Sequence, residues 1–187
     1  MSVKTLVTHS PSETRQIGRA LAAVLEVDDV VLLAGPLGAG KTELTKGIAE
    51  GLGIAEPVVS PTFTLAREYQ GQGSLHGKGG LRLLHVDLYR LDRGQEVIDL
   101  GLEDLAGDDA VTVVEWGDLA AGLFPADRLE VGLALSPDDE RDQDRIISFT
   151  MAGVSWHGRQ GALAAALAAC EGARLDSHDL DSYDAPG

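Results

Sequence analysis

The hydrophobic pattern changes period along the chain, and each change marks an element. Ser10-Pro11-Ser12-Glu13 reads as a helix start. Ser10 can cap, Pro11 has its φ preset for the first turn, and Glu13 stands where a capping box places an acid. Ile17, Leu21, Val24 and Leu25 then recur on one helical face. Val30 to Ala34 is apolar without interruption and runs into a glycine, the pattern of a strand buried on both faces of a parallel sheet. After a glycine-rich loop, Leu44 and Ile48 continue a helix that stops near Gly51-Leu52-Gly53.

Farther on, Phe63 to Tyr69 has strand character, with Phe63, Leu65 and Tyr69 at even steps. Gly71 to Gly80 carries five glycines among polar residues and predicts a surface loop. Leu81 to Val86 and Val111 to Val114 predict two more strands, with a helix over Gln95 to Leu105 between them. Leu129, Val131, Leu133 and Leu135 alternate with other residues, as do Ile147, Phe149 and Met151. They predict an antiparallel hairpin with one solvated face, its strands separated by the acidic stretch Ser136 to Asp144. Gly161 to Cys170 reads as an Ala/Leu helix, and Asp176 to Gly187 is polar and acidic. The pattern predicts an α/β fold whose mixed sheet is parallel at its buried strands and antiparallel towards one edge. It fits one domain over residues 1–173, followed by an acidic, disordered tail over 174–187.

Composition narrows the classes of function. The 187 residues suit a single domain with a core of its own. Cys170 is the only cysteine, so no intrachain disulfide can form. No segment approaches membrane-spanning length, which predicts a soluble cytoplasmic protein without a membrane partner. The formal net charge is -15, and the only lysines are Lys4, Lys41, Lys46 and Lys78. Binding to a phosphate backbone needs clustered positive charge, so direct binding to DNA or RNA is not expected.

The chemistry is concentrated in Gly35-Pro36-Leu37-Gly38-Ala39-Gly40-Lys41-Thr42. Gly-x-x-x-x-Gly-Lys-Thr between a buried strand and a helix is a phosphate-binding loop. Backbone N–H groups over Gly35, Leu37, Gly38, Ala39 and Gly40 can curl around phosphate oxygens, helped by the positive end of the following helix. Lys41 supplies a point charge to the β- and γ-phosphates, and Thr42 offers a hydroxyl to Mg²⁺. The motif predicts ATP and Mg²⁺ as cofactors. No Asn-Lys-x-Asp segment is present to read guanine. Such a site also needs a carboxylate at the end of a neighbouring strand. Asp87 and Glu115 each end an apolar run, and pattern alone leaves open which one meets the metal.

Ser60-Pro61-Thr62-Phe63-Thr64-Leu65, His85-Val86-Asp87-Leu88-Tyr89-Arg90-Leu91 and Glu115-Trp116 follow the phosphate loop in an order that resembles the TsaE (YjeE) family. These are P-loop ATPases of bacterial tRNA threonylcarbamoyladenosine synthesis, and the likeness spans about residues 5–135. The resemblance implies a P-loop NTPase-like three-layer sandwich. It implies Thr42 and Glu115 at Mg²⁺, and Asp87 close to the phosphates or the attacking water. It makes Ser60 to Leu65 a switch-like loop in which Thr62 and Thr64 offer hydroxyls to nucleotide, and it makes Arg141 a nucleotide contact. It also implies TsaD and TsaB as partners that carry the transfer chemistry and the tRNA, while this chain supplies an ATP-driven conformational step. Two positions depart from the family pattern: Pro36 where aspartate is common, and Glu43 where threonine is common. Glu43 places a carboxylate next to Thr42, where it bears on nucleotide affinity.

Other readings remain. A small-molecule kinase would need an acceptor site and an arginine-bearing lid, yet Ser136 to Arg145 carries five carboxylates that repel an anionic acceptor. A nucleotide-gated binding module with negligible turnover is the third reading. His85 reads as a core histidine or one that supports the site, Tyr89 and Arg90 as a brace or a partner contact, and Trp116 as a core residue before a cover over the nucleotide. His9, His76, His157 and His178 are scattered and form no recognisable metal pattern.

Overall fold

In the computed structural model, residues 3–61, 64–72, 80–89, 109–137 and 144–170 are described. Among them, strands β1 (Val3–Thr8), β2 (Val30–Ala34), β3 (Ala66–Gln70), β4 (Arg82–Asp87), β5 (Ala110–Glu115), β6 (Arg128–Leu135) and β7 (Arg145–Ala152) join in one sheet. Their spatial order is β1-β7-β6-β2-β5-β4-β3. The apolar run of β2 lies at the centre, parallel to β5 on one side and β6 on the other, and β4 is parallel to β5. The outer pairs β1–β7, β6–β7 and β3–β4 are antiparallel.

The expected hairpin is β6–β7, and it lies towards one edge of the sheet. The edge position itself belongs to β1, a segment whose pattern had suggested no element. At the other edge, the strand expected from Phe63 begins only at Ala66. Leu65 takes a left-handed conformation with φ 65°, which ends any extended run before it. Phe63, the helix expected over Gln95 to Leu105 and the tail 174–187 lie outside the described residues.

Helices α1 (Pro11–Ala22), α2 (Lys41–Gly51), α3 (Val154–Gly158) and α4 (Gln160–Ala168) complete the described regular structure, with a 3₁₀ segment at Gly117–Leu123. Ser10 caps α1 as its sequence predicts, its Oγ accepting from the Glu13 N–H at 3.2 Å. The Glu13 carboxylate reaches back to the N–H of His9 at 2.7 Å rather than to that of the cap itself. Backbones of α1 and α2 approach so closely that a Cβ at Gly47 would sit 2.2 Å from the Arg15 carbonyl oxygen.

Two cores form, one on each face of the sheet. Ile17, Leu21, Leu44, Ile48, Leu163 and Leu167 from α1, α2 and α4 bury against Val31, Leu33, Val113, Val131 and Phe149. On the opposite face, Ala120 and Phe124, within and just after the 3₁₀ segment, pack with Val30, Leu32, Val86 and Val114. The result is three layers, with the carboxyl ends of the parallel strands β2, β4 and β5 brought to the same end of the sheet. No helix of the described residues is long and apolar enough to cross a membrane.

Candidate functional site

The phosphate loop leaves β2 and enters α2 through three glycines at positive φ: Gly35 (138°), Gly38 (81°) and Gly40 (101°). At Gly35 the neighbouring strand also excludes a side chain, because a Cβ would lie 2.1 Å from the Leu133 carbonyl oxygen of β6. Gly40 stands at the N-cap of α2 without a side-chain cap, so its first-turn N–H groups stay open to an anion. Leu37 at the tip is 73% exposed, whereas Ala39 is buried. Arg145, at the start of β7, braces the tip by donating from Nη2 to the Gly38 carbonyl at 3.2 Å.

Lys41 opens α2 as a buried cation. Its ammonium donates to the carbonyls of Gly35 (2.6 Å) and Pro36 (2.9 Å) and lies 3.8 Å from the centroid of the Trp116 ring. Burial draws its pKa below the ordinary lysine value, opposed by the charges of Glu115, Asp87 and Asp118. Trp116, expected in the core, packs only partly there. Its backbone turns through φ 60°, and its ring meets Tyr89 at 5.2 Å between centroids. Tyr89 therefore braces the tryptophan that faces Lys41.

The two strand-end carboxylates are neighbours: Asp87 and Glu115 are register partners on β4 and β5, and both are buried. Their hydrogen bonds differ. Glu115 accepts from the Thr42 hydroxyl at 2.9 and 3.0 Å and pairs with His85 Nε2 at 2.8 Å. Asp87 accepts from Ser60 Oγ at 2.5 Å and from the Tyr89 N–H at 3.0 Å. The Asp87 N–H in turn donates to the Leu65 carbonyl at 2.9 Å, so both ends of the Ser60 to Leu65 segment are tied to this one residue.

Oxygen ligands around Thr42 and Glu115 suit a hard cation such as Mg²⁺. Among the described residues, no group of three or more His, Cys, Asp or Glu could hold a metal. A cation here would draw its remaining ligands from phosphate and water, which is the habit of Mg²⁺.

Other predicted residues fall differently. The Glu43 carboxylate is engaged by Arg15 Nε at 2.5 Å and Lys46 Nζ at 2.6 Å, between α1 and α2. Burial acts to raise its pKa, but the hydrogen bonds and charges of Arg15 and Lys46 prevail and hold it below the ordinary value. Thr64 is exposed and its N–H closes a turn onto the Pro61 carbonyl at 2.9 Å. Thr62 and Arg141 lie outside the described residues. Arg145 joins the site with no signal in the pattern, whereas Ser60 enters from the segment that the resemblance marks and His85 takes the supporting place that its sequence reading allows.

Comparison with known proteins gives a consistent picture. A family model described as "Threonylcarbamoyl adenosine biosynthesis protein TsaE" matches residues 8–145. A tRNA threonylcarbamoyladenosine biosynthesis protein TsaE of Bacillus subtilis is 42% identical over 146 residues, covering 78% of this chain and 84% of that protein. Its counterpart in Streptomyces coelicolor is 43% identical over 143 residues, covering 76% and 93%. The crystal structure of Bacillus subtilis YdiB superposes with a TM-score of 0.71 at 34% identity, covering 88% of this chain and 95% of that one.

Proposed function

This chain belongs to the TsaE family of tRNA threonylcarbamoyladenosine biosynthesis proteins, and from that premise we propose that it binds Mg-ATP at the phosphate loop and hydrolyses it. The observation that carries the proposal is the Thr42–Glu115 contact directly below an uncapped helix start. It joins a hydroxyl, a carboxylate and the N–H groups of an uncapped first turn in one place.

A bound Mg²⁺ would be held by Thr42 and Glu115 and would supply charge neutralisation to the phosphates. The residues of this chain divide the remaining work. The loop N–H groups and the start of α2 hold the phosphates. Lys41 leaves the carbonyls of Gly35 and Pro36 to meet the β- and γ-phosphates. Thr42 and Glu115 hold the metal, and Asp87 accepts a proton from, or orients, the attacking water. Ser60 and Leu65 link Asp87 to the switch-like loop, so nucleotide state is conveyed to that loop through Asp87.

In this reading, hydrolysis drives a conformational step in the proteins that carry out threonylcarbamoyl transfer, namely TsaD and TsaB. Among the described residues, the site offers phosphate chemistry and no group placed to handle threonine or a carbamoyl group, which suits an accessory ATPase. The test is ATP binding and phosphate release by the purified chain, alone and with those partners. Mg-dependent binding with slow turnover that rises on adding partners supports the proposal. Rapid phosphorylation of a small acceptor, or no nucleotide binding, contradicts it.

A further inference from the structure

We infer that His85 is a positioning residue for the metal-binding carboxylate of Glu115. The inference rests on the Mg-ATP reading of the site.

His85 is fully buried in the middle of β4, where Leu83 and Val113 show what the surrounding core otherwise uses. Its Cα pairs with that of Val113, and Glu115 lies two residues farther along β5 on the same face. The ring spans that diagonal, bringing Nε2 to 2.8 Å from Glu115 Oε1. Nδ1 has no hydrogen-bond partner among the described residues.

That asymmetry selects between the two neutral tautomers of the ring. A ring carrying its proton on Nδ1 would bury an unpaired donor and oppose two lone pairs across the contact with Glu115. A ring protonated only on Nε2 donates to the carboxylate and leaves Nδ1 as an acceptor, the smaller penalty. An apolar residue at position 85 would bury more surface and leave no orphaned nitrogen. The histidine is therefore a cost to the core that its contact with Glu115 explains.

The contact also fixes what Glu115 can do. Oε1 accepts from both His85 and Thr42, whereas Oε2 accepts from Thr42 alone. Oε2 is thus the oxygen with a lone pair left for a cation. Without the imidazole, Thr42 alone restrains the carboxylate, and neither oxygen is reserved for a cation.

The test uses the full chain and reads the Mg²⁺ concentration at half-saturation of ATP binding, together with ATP affinity in EDTA and Tm. In H85L, the chain should stay folded, since Thr42 still donates to the Glu115 carboxylate, and metal-free ATP affinity should hold. The Mg²⁺ half-saturation point should rise about 10- to 100-fold, as when a partner of a metal ligand is removed. H85Q, whose amide nitrogen reaches the position of Nε2, should restore it, whereas H85N, with a shorter reach, should not. An unchanged half-saturation point in H85L overturns the inference. If H85L does not fold, H85Q and H85N decide, and equal Mg²⁺ responses overturn it. A wild-type chain without Mg²⁺-dependent ATP binding would instead overturn the underlying reading of the site.

Discussion

The hydroxyl of Thr42 is shared between the two carboxylate oxygens of Glu115, at 2.9 and 3.0 Å, although 73 residues separate them. Thr42 lies in the first turn of α2 and Glu115 is the last residue of β5, so their contact ties the phosphate loop to the sheet. Both are oxygen ligands suited to Mg²⁺, and the hydroxyl can keep donating to the carboxylate while its lone pairs turn to a cation. T42S should preserve Mg²⁺-dependent ATP binding. T42V, similar in shape, should raise the Mg²⁺ requirement by about tenfold or more. Calorimetric titration at graded Mg²⁺ checks both.

Lys41 is the charge the phosphates would meet first. At about 4 Å and an effective dielectric near 20, its attraction to one phosphate charge is roughly 4 kcal/mol. K41A should therefore weaken ATP binding by about 10³-fold without unfolding the chain, since the variant also removes a buried cation. Titration with ATP, and a melting curve on the same sample, measure the two effects separately.

Glu43 tests whether a carboxylate beside Thr42 belongs to the nucleotide site or to the α1–α2 packing. Its bonds to Arg15 and Lys46 favour the packing. Its folded-state pKa lies below the ordinary glutamate value of 4.5, so its stabilising contribution is full above that value and is lost as pH falls through the folded one. E43Q should cost about 0.5–1 kcal/mol near neutral pH, with a difference from wild type that closes in acid. Its ATP affinity should stay near wild type. Melting curves across pH, with one ATP titration, check this.

Charge makes a separate prediction about RNA. With 30 acidic residues against 15 Lys and Arg, the isolated chain should not bind tRNA at physiological salt. Tight, salt-sensitive tRNA retention in a filter-binding assay would show a basic surface that the composition does not suggest.

Local signals carried the sequence reading well where one segment decides its own structure. Ser10, Pro11 and Glu13 specify the start of α1 through contacts within one turn. Val30 to Ala34 forms the central strand that its unbroken apolar run predicts, and Gly35, Gly38 and Gly40 take positive φ in the turn that follows. Failures came where distant segments decide. Residues 3–8 hold β-branched Val3, Thr5, Val7 and Thr8, but so short a run of mixed polarity does not set its own place; pairing with β7 makes it the edge strand. Leu65 looked like part of a strand until its positive φ placed the boundary after it. Trp116 reads as core or as a cover over the nucleotide, and its left-handed backbone decides for a place beside Lys41. His85 and Glu115 meet only through the register of β4 on β5, and Arg145 reaches Gly38 across 107 residues of sequence. Residue type made each of these plausible; sheet order made them neighbours.

The most direct test of the account separates the paired carboxylates. Glu115 accepts from Thr42, whereas Asp87 accepts from Ser60 and donates its N–H to the Leu65 carbonyl, so the first should serve the metal and the second turnover. ATP binding and phosphate release are measured against Mg²⁺ concentration for wild type, E115Q and D87N. The account predicts that E115Q raises the Mg²⁺ needed for half-saturation, by about tenfold or more. It predicts that D87N binds Mg-ATP almost normally but turns it over more slowly, by about 10²-fold or more as for loss of a general base. A metal defect in D87N with normal metal dependence in E115Q would contradict it.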